Sequence, residues 1–297
     1  MECEQLEWNP LASAASHSAM AGVLAGLVFA GIVVLISDRW QVHGRPHRRA
    51  LVLFAGALLP LAVVSFLFGV IAGEQVCPRA WTGTVLAAGL LGPGALGIFG
   101  GVCWLFNAYD DDRAQITRLA TFMTYTVALV VGYQLQVNAA DYLDTMAGAG
   151  LSDVPPWLVR AVDGYAVGLA AIVLGLPATR FLWSRLRRRA SRVRRGRDRA
   201  AIQAAYLSVV NVIVVATASG SLVDRPGSQW EPATPSSVVV SITLLSLALP
   251  TVAVLALLRA LPSGRPIGST ATAPAGPLPA PPPRQGTRTG SRAVTRL

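Results

Sequence analysis

Lysine is absent from this 297-residue chain, and all 25 of its basic residues are arginine. Charged residues of both signs make up only 13% of the sequence, against roughly 25% in an ordinary soluble domain. Hydrophobic residues make up 53%, and the mean hydropathy is +0.51. This composition disfavours a water-soluble fold. The lack of lysine also excludes a retinal protein, whose chromophore requires a lysine Schiff base.

Ionisable side chains are missing from the centres of the apolar stretches. None of the three histidines lies inside such a stretch, which excludes intramembrane proteolysis by a serine and histidine pair. Aspartate, glutamate and arginine are confined to the ends of the stretches. A proton- or ion-coupled carrier is therefore disfavoured, because such carriers keep an ionisable group inside the membrane.

Seven apolar stretches are present, each long enough at about 1.5 Å per residue to cross a hydrocarbon core of about 30 Å. They cover residues 19–37, 50–73, 81–106, 119–137, 162–183, 203–223 and 235–258. The sequence therefore predicts an all-α, polytopic integral membrane bundle of seven transmembrane helices. The connecting loops are too short for a separate soluble domain, which needs roughly 50 residues.

Two regions follow from this pattern. Residues 1–258 form the predicted seven-helix transmembrane domain, and residues 259–297 form a cytoplasmic tail. The tail has eight prolines, six arginines and no acidic residue. Such a segment cannot bury a hydrophobic core, so we expect it to be disordered.

Arginine is divided unequally between the two sides of the predicted bundle. The segments that end or follow spans one, three, five and seven carry 22 arginines, and the opposite side carries only Arg79, Arg160 and Arg225. Cytoplasmic loops are the arginine-rich ones in membrane proteins. The amino terminus is therefore predicted outside and the carboxyl terminus inside. Tryptophans fall near the span ends, at the level of the lipid headgroups.

Exclusive use of arginine, with abundant alanine, glycine and proline, is typical of a very GC-rich genome, because lysine codons are AT-rich. We therefore expect a bacterial, specifically actinobacterial, protein of the plasma (inner) membrane. Its basic inner surface predicts contact with anionic lipids. The run 185–199, expected to continue span five, supplies Arg187, Arg188, Arg189, Arg194 and Arg195. No nucleic-acid partner is expected, and a protein partner is an alternative.

Cysteines and glycines indicate how the helices are held. Cys3 and Cys77 both fall on the oxidising outer side, where a disulfide between them is a hypothesis. Glycines and alanines four residues apart allow close helix approach, either within one bundle or between two copies. These pairs are Gly22 and Gly26, Gly69 and Gly73, Gly97 and Gly101, Gly164 and Gly168, and Ala171 and Gly175.

An acidic cluster follows span three on the inner side. Asp110, Asp111 and Asp112 stand just after Asn107, and adjacent carboxylates are ligands for Mg²⁺. A metal held there would neutralise the leaving group of a lipid diphosphate. The cluster resembles the first aspartate-rich motif of membrane prenyltransferases of the UbiA type, which implies Mg²⁺-dependent prenyl transfer. The alternative is a solvated acidic loop, and under every other hypothesis no cofactor is expected.

Polar residues within the spans provide a candidate lining for a passive path: Tyr133 and Gln134 in span four, and Ser208 and Asn211 in span six. Hydrogen bonding between helices is the alternative role for them. The longest outer loop, residues 138–161, is the expected site for an extracellular ligand or protein.

Three hypotheses for function follow. The first is a non-enzymatic interaction or regulatory component. The second is a permease subunit driven by a separate ATPase. The third is the Mg²⁺-dependent prenyltransferase described above.

Overall fold

The computed structural model describes residues 10–37, 45–107, 114–148, 150, 152–186, 190–224, 230 and 234–262. These residues form seven α-helices, and the described ranges contain no strand. The helices are α1 (Pro10–Ser37), α2 (Arg45–Ile71), α3 (Cys77–Phe106), α4 (Ala114–Gly148), α5 (Pro156–Leu186), α6 (Ala190–Val223) and α7 (Ser236–Ala260). Each is long and apolar enough to cross a membrane. The predicted all-α fold with seven membrane-spanning helices is confirmed.

Several helices extend beyond the apolar stretches that the sequence shows. Helix α1 begins at Pro10 instead of residue 19, and α4 continues to Gly148 instead of ending at residue 137. Hydropathy reports where side chains prefer lipid, whereas backbone hydrogen bonding carries a helix on into the headgroup region. The tail beyond residue 262 lies outside the described residues.

The expected outer loop 138–161 is wrong in its first half, because Asp141 and Asp144 lie on α4. Helix α4 ends only at Gly148, and Gly150 follows with a left-handed φ of 65°. The N–H of Gly150 donates to the carbonyl of Ala147, in the manner of a glycine after a helix end. The loop that remains before α5 is short.

The helices alternate in direction, so the bundle has two chemically different ends. The start of α2 meets the ends of α3 and α7, because the guanidinium of Arg49 lies 4.2 Å over the Trp104 ring and Trp104 Nε1 donates to the Ala260 carbonyl at 3.1 Å. We call this the Arg-rich end. The end that carries Asp141, Asp144 and the start of α5 is the Asp-rich end.

Helix α3 is the centre of the bundle. Within the apolar stretch of α3 that is long enough to cross a membrane, 67% of the residues are buried, compared with 17% in α1 and in α5. Glycines allow this burial: a Cβ on Gly97 would lie 2.7 Å from the Ala57 Cβ and 3.3 Å from the Leu53 carbonyl oxygen of α2. The glycine-rich segment 92–97 therefore lies within a single helix, and Gly92, Gly94 and Gly97 are buried there.

Candidate functional site

The predicted metal ligands Asp110, Asp111 and Asp112 lie outside the described residues, between α3 and α4. Helix α3 ends at Phe106, and Asn107 caps it by donating its backbone N–H to the Cys103 carbonyl. Within the ranges that the structure describes, no group of three or more His, Cys, Asp or Glu side chains is placed to hold a metal ion. The magnesium site stays a prediction.

The arginine run is divided between two parts of the chain. Arg187, Arg188 and Arg189 lie outside the described residues, whereas Arg194 and Arg195 belong to α6, where only their backbone is described. We expected the run to continue span five. Most of it instead precedes span six as the first turns of α6, which begins at Ala190.

The cysteines occupy different ends of the bundle. Cys77 is buried at the start of α3, and the free thiol Cys103 is buried near its other end, 3.2 Å from Thr124 Oγ1. At about 1.5 Å per residue, the part of α3 between Cys77 and Cys103 is about 39 Å long, which is far beyond the reach of a disulfide. Cys3 lies outside the described residues, so its bridge to Cys77 stays a prediction.

The four candidate lining residues do not share one surface. Tyr133 is 63% exposed on α4, and Gln134 beside it donates to Asn138 Oδ1 on the exposed face of the same helix. Ser208 and Asn211 are instead buried within α6. Tyr133 and Gln134 are therefore neighbours on α4, and Ser208 and Asn211 are neighbours on α6. The pair on exposed α4 positions and the buried pair on α6 do not form one lining.

Asn211 has the least satisfied polar side chain in the described part of the bundle interior. It is 1% exposed, and neither its Oδ1 nor its Nδ2 has a hydrogen-bond partner among the residues that the structure describes. Ser208, one turn earlier, donates to the carbonyl of Ala204 in its own helix at 3.0 Å. A buried amide without a partner loses its hydration without compensation.

Hydrogen bonds between helices come from residues that the sequence did not single out. Gln136, two positions after Gln134, donates to the Asp163 carbonyl at 2.9 Å and accepts from the Ala166 N–H at 3.1 Å, which fastens α4 to α5. Ser18 and Ser65 each donate to the other's carbonyl, at 2.7 and 2.9 Å. In the sequence, such a residue is visible only as a polar residue in an apolar stretch. This pattern does not show which way the side chain faces.

A carboxylate fastens the turn between α2 and α3 at the Asp-rich end. Oε1 of Glu74 accepts hydrogen bonds from the N–H groups of Gln75 and Val76 and from Arg79 Nη2, and Oε2 lies 2.6 Å from Arg79 Nε. Burial alone would raise the pKa of Glu74. These hydrogen bonds and the charge of Arg79 outweigh burial, so the pKa lies below its ordinary value.

Helix α5 presents a face of small residues that none of the other described helices covers. A Cβ added to Gly164, Gly168 or Gly175 would meet no neighbouring atom within 4 Å. The spacings of three and four place these glycines on one side of the helix together with three alanines. This small face of α5 consists of Ala161, Gly164, Gly168, Ala171, Gly175 and Ala178.

The fold does not link the chain to a known group of proteins. No protein-family model, curated protein sequence or solved structure matches it.

Proposed function

We propose that this protein is a non-catalytic interaction or regulatory component of a membrane, which acts by pairing the small face of α5 with a transmembrane helix of another chain. Small residues are typical of helix interfaces in lipid, because they let two backbones approach closely. The observation that carries the proposal is the open space around Gly164, Gly168 and Gly175.

Three glycines that lie between helices provide the comparison. Gly56 meets Ala205, Gly97 meets Ala57, and Gly132 meets Leu169, so in these places a small residue accommodates a neighbouring helix. The small face of α5 has the same chemistry and no neighbour within the described chain. Helix α5 is also peripheral, because only 17% of the residues in its apolar stretch are buried. The small face of α5 is therefore accessible from the bilayer.

The test replaces Gly168 with leucine and measures the mass of the assembly in lipid particles cut from native membranes. Because Gly168 is exposed and a Cβ there would meet no atom within 4 Å, we expect the leucine to leave the bundle undisturbed. Gly26→Leu is the matched control, since Gly26 of α1 is also in open space. We expect the wild type and Gly26→Leu to be larger than one chain, and Gly168→Leu to be reduced to one chain.

A wild type that is already a single chain in these particles would overturn the proposal. So would an assembly that survives Gly168→Leu, or one that Gly26→Leu disrupts equally. A second copy of the chain and a different membrane protein are both acceptable partners, provided that the small face of α5 is required.

A permease subunit is the second candidate, and the unpaired amide of Asn211 is the observation that favours it. Polar groups without partners inside a bundle are typical of substrate pathways. The same native particles distinguish the two candidates. A stoichiometric ATPase that remains bound in Gly168→Leu supports the permease, and its absence supports the interaction component.

The proposed setting is the plasma membrane of a GC-rich, actinobacterial cell, with the amino terminus outside. The described arginines at the Arg-rich end include Arg48, Arg118 and Arg259, while Asp141 and Asp153 lie towards the other end. This difference supports an orientation with the Arg-rich end in the cytoplasm, where anionic lipid is expected.

A further inference from the structure

A cleft opens sideways between α6 and α7 near the Arg-rich end of the bundle. Its volume is about 490 Å³, within the range of small-molecule sites in proteins. It is lined by residues from Ala200 to Leu207 on α6 and from Val252 to Arg259 on α7. At about 1.5 Å per residue, each wall is about 10 Å long.

The two ends of the cleft differ in polarity. Arg259 and Gln203 line the part nearest the Arg-rich end, and Leu207 and Val252 line the part that is deepest in the membrane. The change from polar to apolar lining matches a phospholipid, whose polar headgroup lies at the membrane surface and whose acyl chains run inward. Tyr206 is 69% exposed at the side of the cleft, and tyrosine favours the headgroup level.

Arg259 is available to bind an anion. It is exposed in the last turn of α7, and it makes no hydrogen bond or ion pair with any residue in the part of the chain that the structure describes. A guanidinium matches the geometry of a phosphate with two parallel donors. Gln203, across the cleft on α6, is exposed and adds a further donor.

We propose that the α6–α7 cleft binds one anionic phospholipid, with its phosphate at Arg259 and Gln203 and an acyl chain along Leu207, Val252 and Leu255. Basic pockets between transmembrane helices are sites for lipid headgroups. The proposal is independent of pairing through α5, which lies on other residues. It assigns a specific site, whereas the arginine run predicts only general contact with a charged bilayer.

The first test adds phosphatidylglycerol or phosphatidylcholine with identical acyl chains to the delipidated full chain, and counts bound lipid by native mass spectrometry. We expect one phosphatidylglycerol to bind more tightly than phosphatidylcholine. Arg259→Gln should reduce this preference about fivefold, because it removes the guanidinium that is proposed to contact the phosphate directly. Arg118→Gln removes the same charge from α4 at the same end and should change it less than about twofold, because Arg118 lies outside the cleft.

A second variant tests the cleft itself without changing its charge. Ala256→Phe places a ring in the cleft and should prevent retention of the lipid, while Ala216→Phe, an exposed position elsewhere on α6, should not. Equal binding of the two lipids would overturn the proposal. So would equal losses in Arg259→Gln and Arg118→Gln, or full retention in Ala256→Phe.

The third test identifies the occupant in native membranes. A photoreactive phenylalanine at Val252, which is 49% exposed in the cleft, should form an adduct with the mass of one phospholipid. An adduct with another protein, or with the chain's own residues 263–297, would overturn the proposal.

Discussion

The amide of Asn211 is in the middle of α6 without a hydrogen-bond partner among the described residues. An unpaired buried polar group costs about 1 to 3 kcal/mol. We therefore predict that Asn211→Leu, which is close in size and needs no partner, increases the free energy of unfolding by about 1 kcal/mol or more. The measurement is unfolding of the purified chain in mixed micelles by titration with a denaturing detergent.

Ser208→Ala is the control for Asn211→Leu, because within the described part of the chain the Ser208 hydroxyl bonds only to the carbonyl of Ala204 in its own helix. It should change stability by less than about 0.5 kcal/mol. If Asn211→Leu instead destabilises the bundle, the amide has a role that lies beyond the described contacts, and the permease hypothesis gains support.

A second prediction at the residue scale concerns the disulfide partner of Cys77. The free thiol of Cys103 is buried near the far end of α3, so only Cys3 remains to pair with Cys77 within the chain. We expect denatured but unreduced protein to take up one alkylating group, and reduced protein to take up three. Uptake of three groups before reduction would contradict the bridge.

At the scale of a structural element, Glu74 bonds to Gln75, Val76 and Arg79 in the turn between α2 and α3. Because the folded chain lowers the pKa of this carboxyl, its contribution to stability is complete above the ordinary glutamate pKa and is lost as the pH falls through the lowered value. We predict that Glu74→Gln costs on the order of 2 kcal/mol at neutral pH. The variant should also lose part of the acid sensitivity of the wild type.

The measurement for Glu74 is the unfolding free energy as a function of pH in both proteins. Asp153→Asn, at an exposed position in the loop before α5, is the matched control and should keep the wild-type pH profile. Parallel pH profiles for wild type and Glu74→Gln would show that the pair with Arg79 does not stabilise the turn.

Two glycines that look alike in sequence should respond oppositely to alanine. A Cβ on Gly97 of α3 would overlap Ala57 of α2, while a Cβ on Gly26 of α1 would have nothing within 4 Å. We predict that Gly97→Ala destabilises the bundle by about 1 to 3 kcal/mol. Gly26→Ala should stabilise it by about 0.5 to 1 kcal/mol, because alanine is the better helix former. Unfolding titrations of both variants in the same micelles measure this difference, and equal effects would contradict it.

At the scale of the whole molecule, the seven spans were predictable because the transfer of a side chain from water to lipid depends mainly on that side chain. Helix ends were less predictable. Asp141 and Asp144 were expected in a loop, yet α4 includes them because its backbone continues past the hydrocarbon core.

The candidate site was less predictable than the fold, because it depends on which way each residue faces. Gly97 and Gly168 are equivalent as sequence patterns, and only the neighbouring helices distinguish a packing position from an open one. Polarity alone pointed to Gln134, whereas Gln136 makes the bond between helices. The α6–α7 cleft had no sequence signal, since its lining comes from two segments far apart in the chain.

The final prediction concerns the orientation of the bundle. The 22 arginines on one predicted side and three on the other should keep the Arg-rich end in the cytoplasm, because translocating arginine is costly. A fluorescent reporter that folds only inside should be active after Leu297, and alkaline phosphatase, which is active only outside, should be inactive there. Inserted at Gly150, in the loop after α4, the two reporters should give the opposite result. Active phosphatase after Leu297 would reverse the orientation and move the proposed lipid site to the outer leaflet.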